Sequence, residues 1–197
     1  MLFFMYDERF NVAFEKADVV LQKLNLSSNE IVDIEELVDV VANLTETEIS
    51  VKEFDFDEID EGCEYGAMMC VTKKGTKQYA SILLNSNKKI DAAFKRFSLA
   101  HELGHLITNK FNLSEKENSF TISTHINYAF NEIKKEDYDN NEFLLNEEIA
   151  NIFALKVLIP MKTLVKVMID TKNDFKKIAK YFGVKENTIK ARLDLEL

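Results

Sequence analysis

Of the three histidines in the chain, His101 and His105 stand four residues apart in F-K-R-F-S-L-A-H-E-L-G-H-L-I-T, residues 94–108. On an α-helix that spacing puts both imidazoles on one face, with Cβ atoms about 5–6 Å apart. Two nitrogen donors so placed can take adjacent corners of a zinc tetrahedron. Glu102 follows the first histidine and is turned about 100° around the helix. That offset lets it miss the metal and reach a water held there. H-E-x-x-H on a helix is therefore the pattern of a metal hydrolase, with two ligands and one general base. The bland reading is two core histidines satisfied by hydrogen bonds, with Glu102 on an exposed face.

A catalytic zinc site has three protein ligands and one open position. A third histidine six residues beyond the second would be residue 111, which is Phe, so the three-histidine pattern is absent. The other arrangement takes a glutamate from a later helix. Glu147 and Glu148, in E-E-I-A-N-I-F-A, are the candidates. Glu147, Asn151 and Ala154 form a ridge at i, i+4 and i+7. The ridge favours Glu147 as the ligand. It puts Asn151 one turn along, where it can bond a ligand imidazole and fix its ring. Glu148 points about 100° away and reads as a solvated charge. Small Ala150 and Ala154 let the two helices approach.

The elements that must position these residues follow in order. The helix around His101 is rich in apolar residues and is expected to be buried. Asn11 to Leu24 has apolar residues at helical spacing. Ser27-Ser28-Asn29-Glu30 reads as a cap before a second helix, Ile31 to Leu44. Ile49 to Phe56 alternates like a half-buried strand, and Asp57 to Tyr65 is an acidic loop. Gly66 to Thr72 and Gln78 to Leu84 flank K-K-G-T-K, a hairpin signal with Gly75 in the turn. Gln78 to Leu84 is expected to offer an open edge for an extended substrate. Met68 and Met69 read as core. Residues 111–141 are polar, with weak periodicity and a charge run. Glu142 to Ile159 is helical again, closed by Pro160, the only proline. Lys162 to Ile169, Asp174 to Phe182 and Lys185 to Leu195 read as short helices, with Gly183 breaking the middle one.

Composition bounds the answer. A chain of 197 residues, 46% hydrophobic and 30% charged, reads as one globular domain. No apolar run is long enough to span a membrane. The start M-L-F-F-M-Y-D-E-R has no basic leader, so no signal peptide is expected. Cys63 and Cys70 are too few for a disulfide framework, and a cytoplasmic location is expected. The net charge of −9 is uneven: residues 1–155 hold 15 basic and 29 acidic side chains, residues 156–197 hold 10 and 5. The acidic body argues against nucleic acid as a partner. The basic tail, residues 175–193, can be read as helix-turn-helix, but Arg192 stands where a buried apolar residue would help. The reading favours packing on the body.

The paired motifs R-F-S-L-A-H-E-L-G-H and E-x-x-A-N-x-F-A-x-x-x-L-x-P resemble the ImmA/IrrE family of metallo-endopeptidases, from about Arg96 to the C-terminus. The resemblance implies a thermolysin-like zincin core, one zinc per chain on His101, His105 and Glu147, and Glu102 as the catalytic glutamate. It implies a protein substrate, a helix-turn-helix repressor of a mobile element or stress regulon, in a bacterial or phage setting. The long polar insert between His105 and Glu147 departs from the family pattern. In that insert His125, Tyr128 and Tyr138 are possible oxyanion donors, among which the sequence does not choose.

The expected fold is α+β and zincin-like. A small mixed or antiparallel sheet packs on the active-site helix and a glutamate-bearing helix, followed by a helical C-terminal segment. A single domain 1–197 would comprise N-terminal helices (1–48), sheet and active-site helix (49–110), polar insert (111–141) and glutamate helix with C-terminal helices (142–197). The expected function is zinc-dependent peptide-bond cleavage. The alternative is a non-proteolytic regulator that binds a repressor or DNA around a structural or vestigial metal site. An intact Glu102 favours the hydrolase, since a structural site has no use for a base.

Overall fold

The first helix, α1 (Asn11–Leu24), keeps Ala13, Ala17, Val20 and Leu24 buried, the residues its periodicity placed on one face. The computed structural model describes residues 8–26, 30–58, 65–108, 120–123 and 141–196, with backbone alone at 120–123. Helix α2 spans Ile34–Thr45 and starts three residues later than its apolar pattern suggested. The cause is Asp33, whose carboxylate accepts from the amides of Glu35 at 2.8 Å and Glu36 at 3.2 Å. Such a cap contributes about 1 kcal/mol, and it sets the boundary here. The cap expected at Ser27-Ser28-Asn29 lies outside the described residues.

Four strands form one mixed sheet: β1 (Thr47–Phe54), β2 (Ala67–Lys74), β3 (Lys77–Asn85) and β4 (Phe120–Ser123). Their spatial order is β1-β3-β2-β4. The β2–β3 hairpin is antiparallel and turns through Gly75 and Thr76, so Lys74 faces Lys77. Gly75 has a φ of 62°, the left-handed backbone that a two-residue hairpin loop requires. β1 pairs with β3 in parallel, and β4 pairs antiparallel with β2.

Two expectations change here. β3 lies between two partners, so Gln78 to Leu84 is no open edge; among the described residues the edges of this sheet are β1 and β4. The pairing of β1 fills the side of β3 that the hairpin leaves open. The polar insert, whose weak periodicity announced no strand, contains β4, whose four residues are too short a run to show periodicity. The acidic loop begins as a 3-10 turn, Phe56–Glu58, with Phe56 buried. Its residues 59–64, Cys63 among them, lie outside the described residues.

Alternation on β2 buries Ala67, Met69 and Val71, which stand opposite Leu84, Ile82 and Ala80. Met69 is thus core, but Met68 points to the other face and is only half-buried. Helix α3 (Ala92–Thr108) packs against β2 and β3, and α4 (Glu142–Leu158) packs against α3. Helix α1 covers α4. Every residue of α3 from Phe97 to Ile107 is buried, as its apolar composition implied. Full burial of Phe97 and Leu103 alone is worth about 1.5–3 kcal/mol each. Three shorter helices follow: α5 (Met161–Thr171), α6 (Phe175–Phe182) and α7 (Glu186–Asp194). Pro160 closes α4 by standing at the N-cap of α5. Gly183, with a φ of 64°, ends α6. Among the described residues no helix is long and apolar enough to cross a membrane.

Candidate metal centre

Two long helices bring the candidate ligands together. Asp91 starts α3 by accepting from the amide of Phe94 at 2.7 Å. Asn141 starts α4 by accepting from Phe143 at 3.1 Å and Leu144 at 3.3 Å. The helices meet at Gly104 and Ala150. A Cβ added at Gly104 would lie 3.0 Å from the carbonyl oxygen of Ala150, 3.1 Å from its Cα and 3.1 Å from the Phe153 ring. Glycine in the L-G-H step is therefore what allows the backbone of α4 so close. That approach carries Glu147 to the histidines.

His101 and His105 are buried, with their Nε2 atoms 3.0 Å apart. Glu147 reaches His105 Nε2 with Oε1 at 3.1 Å and His101 Nε2 with Oε2 at 3.4 Å. One ligand atom from each of the three residues can be chosen so that all lie within 4.8 Å of one another. A tetrahedral ion with bonds of about 2.0–2.1 Å has ligand–ligand edges of about 3.3–3.4 Å. The observed separations are close to those edges, and two imidazoles with a carboxylate are a donor set that suits zinc. His101, His105 and Glu147 thus form a group able to hold a metal ion.

On the far side of His101, Nδ1 stands 2.8 Å from Asn151 Oδ1. Asn151 Nδ2 in turn donates to Glu148 Oε2 at 3.3 Å. The amide oxygen therefore faces the imidazole. With that oxygen as acceptor, a neutral ring would carry its proton on Nδ1 and keep its lone pair on Nε2. Glu148, expected as a solvated charge, is buried, with only 6% of its surface exposed. The missed signal was in the spacing. Glu148, Ile152 and Leu155 fall at i, i+4 and i+7, and the latter two are core residues of α4. The other residue the sequence reading missed is Gly104, whose signal was its place one turn before Thr108 on a helix otherwise free of glycine.

Burial opposes charge throughout this site. It pushes the His101 pKa down, yet Glu147, Glu102 and Asn151 outweigh it, and the value is raised. For His105, burial and the neighbouring His101 prevail over Glu147, and the value is lowered. Burial would raise the Glu147 pKa, but the two histidines hold it at about 2. Burial raises that of Glu148 against the pull of Asn151 and His101. Glu102 is wholly buried and close enough to His101 to favour its protonated form. His125, Tyr128 and Tyr138 lie outside the described residues.

A mixed sheet backed by an H-E-x-x-H helix, with a glutamate helix packed on it, is the zincin-like class of α+β domain. Residues 63–194 match the peptidase M78 model, the IrrE N-terminal-like domain, and the chain belongs to that family. Membership makes the function metallopeptidase-like and the chemistry metal-dependent. No curated protein matches the chain.

Proposed function

We propose that the chain is a zinc-dependent endopeptidase acting in the cytoplasm on a helix-turn-helix transcriptional repressor of a mobile element or stress regulon. The observation that carries the peptidase reading is the convergence of His101 Nε2, His105 Nε2 and the Glu147 carboxylate, with a buried glutamate one residue past the first histidine. The repressor as substrate rests on the resemblance of the paired motifs. His101, His105 and Glu147 would hold the zinc, about one per chain. When bound, zinc acidifies a water and polarises the scissile carbonyl.

The side chains do the rest. Glu147, with a pKa of about 2, is ionised over the physiological range and offers a carboxylate without losing a proton. Asn151 holds the Nδ1 proton of His101 and keeps Nε2 free to bind. Glu102 takes a proton from the attacking water and delivers it to the leaving amine. A buried carboxylate beside the ligand histidine suits that task, and a purely structural metal site has no use for it.

The test is incubation with the regulator encoded beside this chain, with and without chelator. Wild-type protein with zinc should remove full-length regulator. Chelated protein and Glu102→Gln should not. A regulator that binds tightly and is never cut would replace this reading with the non-proteolytic one.

A further inference from the structure

Glu148 has no role in the zinc chemistry just proposed, yet it is buried beside it. A glutamate is rarely buried without a partner, because removing it from water is costly. The hydrogen bond the structure gives its carboxylate comes from Asn151 Nδ2, 3.3 Å away. Asn151 is the residue whose other amide atom meets His101 Nδ1 at 2.8 Å. The three side chains form one line, Glu148 to Asn151 to His101, ending on the Nδ1 side of a candidate ligand.

An asparagine amide can rotate by half a turn at little steric cost. In one orientation it presents oxygen to His101 and accepts the Nδ1 proton. In the other it presents NH2, which favours a lone pair on Nδ1 and moves the ring proton to Nε2, the atom meant for the metal. Nothing in Asn151 itself chooses between these. A group that only accepts, placed against one end of the amide, does choose. Glu148 is such a group as a carboxylate, whose oxygen accepts from Asn151 Nδ2.

We propose that Glu148 is a positioning residue. It locks the Asn151 amide with Oδ1 toward His101 and so reserves His101 Nε2 for the metal. This rests on the metal centre of the proposed function, and it assigns Glu148 no contact with metal or substrate.

Two variants test it by zinc affinity, measured in competition with a chromophoric chelator, alongside thermal melting of the metal-free protein. Glu148→Met keeps the volume and removes the acceptor. It should weaken zinc binding about tenfold, the lower end for loss of an outer partner of a ligand. Glu148→Gln combined with Asn151→Asp reverses the direction of the bond. The new amide at position 148 donates to one oxygen of the new carboxylate at position 151, and the other oxygen still accepts from His101 Nδ1. This double variant should bind zinc within about threefold of wild type. The imidazole N–H proton of His101 in the zinc-loaded protein gives a second readout. It should exchange with solvent slowly in wild type and in the double variant, and faster in Glu148→Met.

Wild-type affinity in Glu148→Met, with or without a lowered melting temperature, would reduce Glu148 to a packing residue. A double variant as weak as Glu148→Met would show that bond direction is not what matters. If Glu148→Met does not fold, the double variant decides alone. A wild-type protein that binds no zinc would remove the metal centre and this role together. That outcome is distinct from a wild type that binds while Glu148→Met binds equally well.

Discussion

In the proposed function, binding and catalysis separate at adjacent residues, His101 and Glu102. His101→Ala should abolish stoichiometric zinc in metal analysis. Glu102→Gln should retain it and lower cleavage by about 10²–10⁴-fold, the usual contribution of a positioned general base. Cleavage by Glu102→Gln at the wild-type rate would place the base elsewhere. Glu147→Ala should cost more zinc affinity than Glu148→Ala, and the reverse order would exchange their roles. The pH dependence has a definite sign. In the metal-free protein the His101 pKa is raised above 6.5. Its proton therefore adds stability below the unfolded value, and that stability is lost as pH rises through the folded one. Zinc bound at His101 would have to displace this proton. The rise in melting temperature caused by zinc should be small near about pH 6 and grow towards about pH 8.5. A rise that shrinks with pH would count against His101 as a ligand. The positions of His101, Glu102 and His105 were legible in the sequence because their spacing is local to one helix. Helical phase pointed Glu147 toward the histidines and Glu148 away from them. It could not say that the direction away led into the core.

Helices α3 and α4 must lie close enough for Glu147 to span two imidazoles, and Gly104 against Ala150 sets that spacing. Alanine at 104 gains intrinsic helix propensity of about 1 kcal/mol. Its Cβ, however, meets backbone atoms of Ala150 at 3.0–3.1 Å, and backbone cannot swing aside as a long side chain can. Gly104→Ala should therefore destabilise the fold by about 1–3 kcal/mol and weaken zinc binding as α4 is pushed outward. Thermal melting with and without zinc checks this. A variant that melts at or above wild type would show the contact to be slack. The sequence reading had the half of this contact that lies on α4, since Ala150 interrupts a run of large residues. The same contrast runs through the sheet. The β2–β3 hairpin was legible from Gly75 and its flanking strands. The parallel partnership of Thr47–Phe54 with Lys77–Asn85 was not, because it joins residues about thirty positions apart with no turn to announce it. The helix of Asn11–Leu24 was legible to the residue, because its buried face repeats within the helix itself.

At the scale of the whole molecule, the basic tail is part of the body. Ile178, Phe182 and Ile189 are fully buried, while Lys176, Lys180, Lys185 and Lys190 stand on the exposed side around the groove between α6 and α7. Arg192, which counted against a helix-turn-helix because a buried apolar residue would help there, is 1% exposed. Its Nε donates to the carbonyl of Ile159 at 3.1 Å, and its guanidinium pairs with Glu196 at 2.7 Å. A buried arginine is tolerable because its donors are met, and here it ties α7 to the end of the glutamate helix. Lys185 pairs with Asp91 at 3.0 Å and ties the start of α7 to the start of the histidine helix. Cutting the chain after Thr171 would remove both ties and uncover the apolar face beneath. The truncated protein should melt well below the parent and lose zinc, because α3 and α4 lose a common support. Arg192→Leu, a milder probe, leaves the Ile159 carbonyl without this donor and should cost about 1–3 kcal/mol. The same arrangement bears on nucleic acid. A few lysines beside a body of strongly negative charge should give only weak, sequence-independent affinity that modest salt removes. Thermal unfolding of the truncated protein, paired with a gel-shift titration of the intact one, tests both halves. A truncated protein as stable as the parent, with nanomolar-scale sequence-specific binding by the parent, would make the tail an independent DNA reader.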